Sequence, residues 1–413
     1  MLYNALKRNM VRIFLLILSA AVTAGVMLYV SASTTVLLSV QQIDAQRAEV
    51  TQQVNEGLQY ALEEYRLAAA EAEELLAQAE VEASQQQSDG LNKIGVYLKP
   101  ESTGDELFFL ETLDRLTDAG GSALVFDVKG AYVYFDTSSS LASEYNLVRP
   151  FYELPVIISM AKQKGLYTIA RLVAANDPVL GIREPAVRIR HPQTNVSVGT
   201  AWVDLSSPTV LEYNSQVIRD LVAAGVDEVN IDYIRYPTEY AQWRIGLTRE
   251  EKVERIEKFV QMARRTIDEY GPQTKLGLST YAILGWHYDI NVKALGQDIV
   301  RFAPLVDVIS PMAYPSTFKV GSYYNPSVHP RSRPYYLIYR TLQGYAEVLG
   351  EEHAHKLRPW IQAYYMTKQN LRDEMDAVFD AGACGFTFWS AGSHYDHVYE
   401  VLPEVEIPER CIE

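Results

Sequence analysis

Three aspartates in this 413-residue chain stand in or beside apolar runs, where a carboxylate is costly unless it has a task. Asp127 interrupts ALVFDVKG, Asp232 interrupts DEVNIDYIRYP, and Asp204 lies in WVDLSSPTV. Two carboxyl groups placed across a glycosidic bond can hydrolyse it, one protonating the leaving oxygen and the other acting as nucleophile or base. Asp232 and Asp127 are the candidate pair, with Asp204 as the substitute. Arg171, Tyr233, Arg235, Tyr281, Tyr314, Gln362, Tyr364 and Trp389 also fall at the ends of apolar runs. Aromatic rings stack on the C–H faces of sugars while Arg and Gln bond hydroxyls, so these are the candidate substrate-binding residues.

Each has a plainer reading. A strand-end aspartate often caps the amides of the following loop, and Lys129 is placed to pair with Asp127. Asp204 also reads as part of a loop leading to an N-cap at Ser206 or Ser207. Arg235 can fix a carboxylate or a hydroxyl, or form a surface ion pair. Trp389 and Tyr314 can be packing at the top of the fold.

The elements that must position these residues alternate. Apolar runs at 94–100, 123–130, 167–173, 228–234, 275–282, 306–314, 358–365 and 384–392 read as strands. Amphipathic stretches separate them, several closing on a glycine: Gly120, Gly165, Gly225, Gly271 and Gly382. Eight strands alternating with helices over about 320 residues is the pattern of a (β/α)8 TIM barrel, whose chemistry sits at the C-terminal ends of the strands. No strand is followed by a Gly-rich phosphate loop, so no dinucleotide cofactor is expected. His353, His355, His394 and His397 have no convergent third ligand, so no metal is expected either. No Gly-x-Ser-x-Gly elbow supports an esterase.

The formal net charge of −15 argues against a nucleic-acid surface, which needs basic patches. Much of that charge lies in residues 41–90, where eleven acids face two arginines, a net of −9. The stretch 41–88 has no Pro and one Gly. Val50, Val54, Leu58, Ala61, Tyr65, Ala68, Ala72, Leu75 and Ala79 recur at near-heptad steps. It reads either as a coiled-coil stalk that forms a homo-oligomer or as a solitary solvated helix, ended by SQQQSDG at 84–90. Ahead of it, Ile13 to Val40 is 28 residues without a charge, preceded by Lys7, Arg8 and Arg12. That is long enough to span a bilayer, and the basic flank predicts an uncleaved signal anchor across residues 11–40 with the remainder outside the cytoplasm, the alternative being a signal peptide cleaved near Ser31-Ala32-Ser33. The expected organisation is therefore basic flank and anchor over 1–40, stalk over 41–90 and barrel over 91–413, in a single-pass membrane protein. The two cysteines, Cys384 and Cys411, make no disulfide framework. Cys384 reads as a small core residue, with a bridge to Cys411 as the alternative.

Taken in order, ALVFDVKG, WVDLSSPTVLEYN, DEVNIDYIRYP, VDVISPMAYPSTF and WIQAYY resemble a family of bacterial proteins classed as glycoside hydrolases with a TIM-barrel fold. The likeness runs from about Gly95 to Trp389. It implies a barrel, an extracytoplasmic location and a carbohydrate substrate, here expected to be an envelope or extracellular polysaccharide. A fainter likeness links DEVNIDYIRYP to the fourth strand of family-18 chitinases, with SPMAY and GFTFW echoing their sixth and eighth. Asp227, Asn230 and Asp232 follow that spacing, but Ile234 stands where the resemblance calls for a catalytic glutamate. Any hydrolysis must then rest on Asp232 and a partner from another strand.

Overall fold

All eight apolar runs become strands in the computed structural model, which describes residues 18–23 and 40–411, with backbone alone at 40–42 and 71–89. They are β1 (Ile94–Leu98), β2 (Ala123–Lys129), β3 (Tyr167–Val173), β4 (Glu228–Asp232), β5 (Lys275–Tyr281), β6 (Val308–Met312), β7 (Trp360–Gln362) and β8 (Phe386–Trp389). Each pairs in parallel with the next, and β8 pairs with β1 to close a barrel. Both faces of a barrel strand are covered, which is why β1, β2 and β4 are buried along their whole length.

Side chains alternate between the two faces of a strand. In β2, Leu124, Phe126 and Val128 join the large core between strands and helices, while Ala123 and Val125 join a smaller cluster inside the barrel with Tyr97, Tyr167, Ile169, Tyr314 and Trp360. The same period puts Asp127 on the inward face. It likewise puts Arg171 of β3 inward, and Glu228, Asn230 and Asp232 of β4. The inward polar residues form three levels. At the base, Arg358 donates to Glu228 at 2.7 Å and to the Gly90 carbonyl at 2.6 Å. In the middle, the Ser279 hydroxyl donates to Asn230 at 2.6 Å and accepts from the Trp360 indole at 2.9 Å. Asp127, Arg171 and Asp232 make the top level.

The outer helices carry ordinary start signals, such as Asp105 capping Glu106–Asp118 and a Thr248/Glu251 capping box at Arg249–Tyr270. Of the five glycines expected to close helices, four adopt positive φ. Gly271 instead is extended, with φ −171°. It is glycine for space, since a Cβ there would lie 2.2 Å from a Val222 methyl.

The chain divides into two compact units, Met1–Gln86 and Gln87–Glu413. The first contains most of a 52-residue helix, Val40–Leu91. This helix runs through 84–90 rather than ending there, because SQQQSDG holds no Pro and only one Gly to interrupt it. Val54, Leu58 and Tyr65 of the seam are exposed. Most of the expected membrane anchor lies outside the described residues. Among the described residues, no helix is long and apolar enough to cross a membrane.

Cys384, half-buried rather than a core residue, is bonded to Cys411, tying the last turn of the chain to the start of β8. The bridge closes a loop of 27 residues, which restricts the unfolded chain by about 3–4 kcal/mol in the chain-entropy treatment. Thermal unfolding with and without reductant should therefore show a lower Tm for the reduced chain, and Cys411→Ala should reproduce that shift and abolish its sensitivity to reductant. Identical melting curves would show that the C-terminal turn contributes nothing to folding.

Candidate active site

The three inward residues of the top level are joined by one guanidinium. Arg171 donates through Nη1 to Asp127 at 2.5 Å, and through Nε and Nη2 to the same Asp232 oxygen at 2.9 and 2.5 Å. Those contacts hold the nearest oxygens of the two carboxylates within about 7 Å of each other. Neighbouring groups then fix each acid. The Tyr97 hydroxyl donates to the second Asp127 oxygen at 2.8 Å, and the Tyr233 amide donates to the second Asp232 oxygen at 2.6 Å.

One cation cannot fully compensate two carboxylates. Burial pushes the Asp127 carboxyl above its ordinary value, with Arg171 pulling the other way. Burial works against the charge on Arg171, but Asp127 and Asp232 more than offset it, and Arg171 stays cationic. Burial beside Asp127 also raises the Tyr97 hydroxyl, so it remains a donor.

Above this triad opens a cavity of about 610 Å³. Asp232 and Arg171 form part of its floor. Tyr233, Arg235, Tyr281, Tyr314, Tyr364 and Trp389, all named from sequence, line its wall. Trp389 is the centre of an aromatic group: Tyr314 stacks on it at 5.3 Å and Tyr364 meets it edge-on at 5.3 Å. Opposite it, Arg235 lies over the rings of Tyr281, Trp202 and Tyr233 at 4.4, 4.8 and 5.3 Å. The backbone makes this wall possible. Tyr233 takes a left-handed conformation, φ 52°, that costs a non-glycine residue of order 1 kcal/mol. That twist ends β4 and resets the alternation, so Asp232, Tyr233 and Arg235 all reach the cavity while Ile234 turns into the core with no exposure. The position that the chitinase likeness would give to a glutamate therefore faces away from the cavity.

Three sequence candidates do not line the cavity. Asp127 is absent from the lining although Arg171, its neighbour in the ladder, belongs to it. Its partner is Arg171. Lys129 pairs instead with Asp177, at 2.9 Å, fully buried and over the ring of Tyr213. Asp204 is engaged away from the lining: its carboxylate accepts from the Ser206 amide and hydroxyl and pairs with Arg255. Ser207 stands at the start of helix Pro208–Ala223 but makes no side-chain cap. Gln362 bonds backbone, accepting from the Ser316 amide and donating to the Tyr364 carbonyl, each near 3 Å. It fixes the loops that carry Tyr314 and Tyr364. Sequence reasoning missed Met312, Trp360, Phe318, Lys319 and Tyr323 on the wall and Tyr97 beneath it. Counting by twos along β1 and β7 from any inward residue would have found Tyr97 and Trp360.

Gln362 rests in turn on Glu374, which accepts its amide at 2.9 Å and whose other carboxyl oxygen is buried without a partner. Burial raises this carboxyl well above its ordinary 4.5. A raised folded value means that the folded state binds the proton more readily than the unfolded chain. The stability is then complete below about pH 4.5 and is lost as pH climbs toward the folded value. Glu374→Gln, which cannot ionise, should gain stability relative to the parent as pH rises from 5 toward 8, read by urea unfolding across that range. A pH-independent gap would show that Glu374 does not titrate as its burial requires.

Comparison with known proteins bears on the family and the fold. Residues 95–395 match the family described as "Putative glycosyl hydrolase domain". No curated protein matches the chain in sequence. Among solved structures, a β-galactosidase from the psychrophilic Marinomonas ef1 is 11% identical, with a TM-score of 0.53 over 78% of this chain and 58% of that one. An endo-β-1,4-mannanase from Thermotoga petrophila is 13% identical, with a TM-score of 0.51 over 76% of both chains. An α-L-fucosidase isoenzyme from Paenibacillus thiaminolyticus is 15% identical, with a TM-score of 0.50 over 76% of this chain and 48% of that one. Identities this low establish a shared barrel and nothing finer.

Proposed function

This chain belongs to the glycosyl hydrolase domain family that it matches over residues 95–395, and on that premise we propose that it hydrolyses glycosidic bonds in an envelope or extracellular polysaccharide. The observation that carries the reading is the Asp127–Arg171–Asp232 chain opening beneath an aromatic-walled cavity at the C-terminal ends of β2, β3 and β4. Asp232 is the carboxylate that meets the substrate and the positive charge developing at the anomeric carbon. Asp127 is the partner carboxyl, pushed by burial toward the protonated form that a general acid needs while Arg171 and Tyr97 pull the other way. Asp127 is bound by Arg171 and does not line the cavity, so proton delivery requires the Arg171 side chain to release it. Trp389, Tyr314 and Tyr364 offer faces for the sugar rings.

The proposed setting is the outer side of a membrane, with the chain anchored through residues 11–40. The 384–411 disulfide favours an oxidising compartment. A second reading, a carbohydrate-binding or scaffold protein, is favoured by one observation: among the described residues, Asp232 is the only acid on the cavity wall. The two readings separate when the full chain is incubated with cell-wall and exopolysaccharide fragments and their lengths are followed by mass spectrometry. Shortened fragments are expected. Fragments that bind but keep their length would favour the scaffold.

A further inference from the structure

The charged groups on the cavity wall point to the kind of saccharide it takes. Arg171 is committed to Asp127 and Asp232. Among the described residues, Arg235 is not committed to any acid. It is only 7% exposed, and its one hydrogen bond runs from Nη1 to the Tyr236 carbonyl at 3.0 Å. Glu239, an acid of the following loop, is held by the Trp202 indole and the Thr238 amide. A guanidinium withdrawn this far from water without a counter-ion is costly, and the three rings packed against it recover part of that cost.

The free edge of Arg235 is the informative part. With Nη1 taken, Nε and Nη2 remain, the side-on fork that matches the two oxygens of a carboxylate, sulfate or phosphate group. Neither atom is sealed in the protein without a partner, and the residue lines the cavity. Arg171 presents the same edge to Asp232. Lys319, exposed and without an ion pair among the described residues, stands on the same wall. Arg235 and Lys319 thus make a positive region in a chain whose formal net charge is −15.

The geometry points to an oxyanion-bearing saccharide as the ligand of this cavity, with the anionic group seated on the Nε/Nη2 edge of Arg235 and a sugar ring against the aromatic wall. This rests on the carbohydrate reading above and narrows it to acidic glycans. Titration calorimetry on the full-length chain tests it. The probes are tetrasaccharides of galacturonate, mannuronate and hyaluronan, each beside its carboxyl methyl ester, and sulfated cellotetraose beside cellotetraose. At least one acidic member should bind tenfold or more tightly than its neutral counterpart. A uronate preference identifies the anion as a carboxylate, and a sulfate preference identifies it as an ester. Arg235→Gln should erase that preference, and Arg235→Lys, which keeps the charge but loses the fork, should retain only part of it. The comparison of acid with ester in the parent protein requires no variant to fold. Neutral probes that bind as tightly as acidic ones, no acidic probe that binds, or a preference that survives Arg235→Gln would each overturn the assignment. Because the titration needs no turnover, its result is independent of whether any bond is cleaved.

Discussion

Replacing Arg171 by methionine is expected to lower the unfolding free energy by about 3–5 kcal/mol, the usual consequence of removing one partner from a buried ionic group. The reason lies in the triad. Asp127 and Asp232 are held within a few ångströms of the same guanidinium, and Arg171→Met leaves two buried carboxylates facing each other with no cation between them. One of them must take up a proton or the barrel mouth must open. The loss should therefore shrink as pH falls through the carboxylate range. Adding Asp127→Asn to Arg171→Met should recover part of the stability at neutral pH, since one charge of the repelling pair is gone. Urea unfolding followed by tryptophan fluorescence reads both effects. A loss below about 1 kcal/mol, the level of a surface ion pair, would mean that Arg171 does not bridge the two acids.

The second large effect concerns Asp232. Asp232→Asn keeps the shape of the side chain and an oxygen for the Tyr233 amide, but removes the negative charge beneath the cavity. If that charge meets the transition state, turnover should fall about 10²–10⁴-fold, the range attributed to a positioned acid or base. Affinity for the saccharide should change little, because the aromatic wall is untouched. An equal rise in KM with no change in kcat would instead mark Asp232 as a binding residue.

The barrel was legible because a strand covered on both faces reads as an apolar run, and eight such runs alternate with amphipathic helices. The acids stood out for the same reason: Asp127 and Asp232 break runs that are otherwise apolar. What could not be read was the height of each residue in the barrel, which depends on the stagger between strands. Asp127 and Asp232 both end strands in the sequence, but only Asp232 lines the cavity. Partner choice was equally hidden. Lys129 is two residues from Asp127, and in a strand that spacing puts both on one face, yet a register shift between them sends Lys129 to Asp177. Asp204 looked like part of the site only because its loop follows β3. Nothing local shows that Arg255, fifty-one residues on, draws its carboxylate elsewhere. Ile234 shows the opposite case, in which a departure from a known pattern was visible in the sequence and its meaning emerged with the left-handed turn at Tyr233 that points it into the core.

The central claim is that Asp232 takes part in breaking a glycosidic bond at the mouth of this barrel. The most direct measurement is the release of new reducing ends from a panel of envelope and extracellular polysaccharides by the full chain and by Asp232→Asn, assayed side by side. The account expects steady release by the parent protein and a rate at least a hundredfold lower for the variant. Equal release by both, or none by either across the panel, would contradict it.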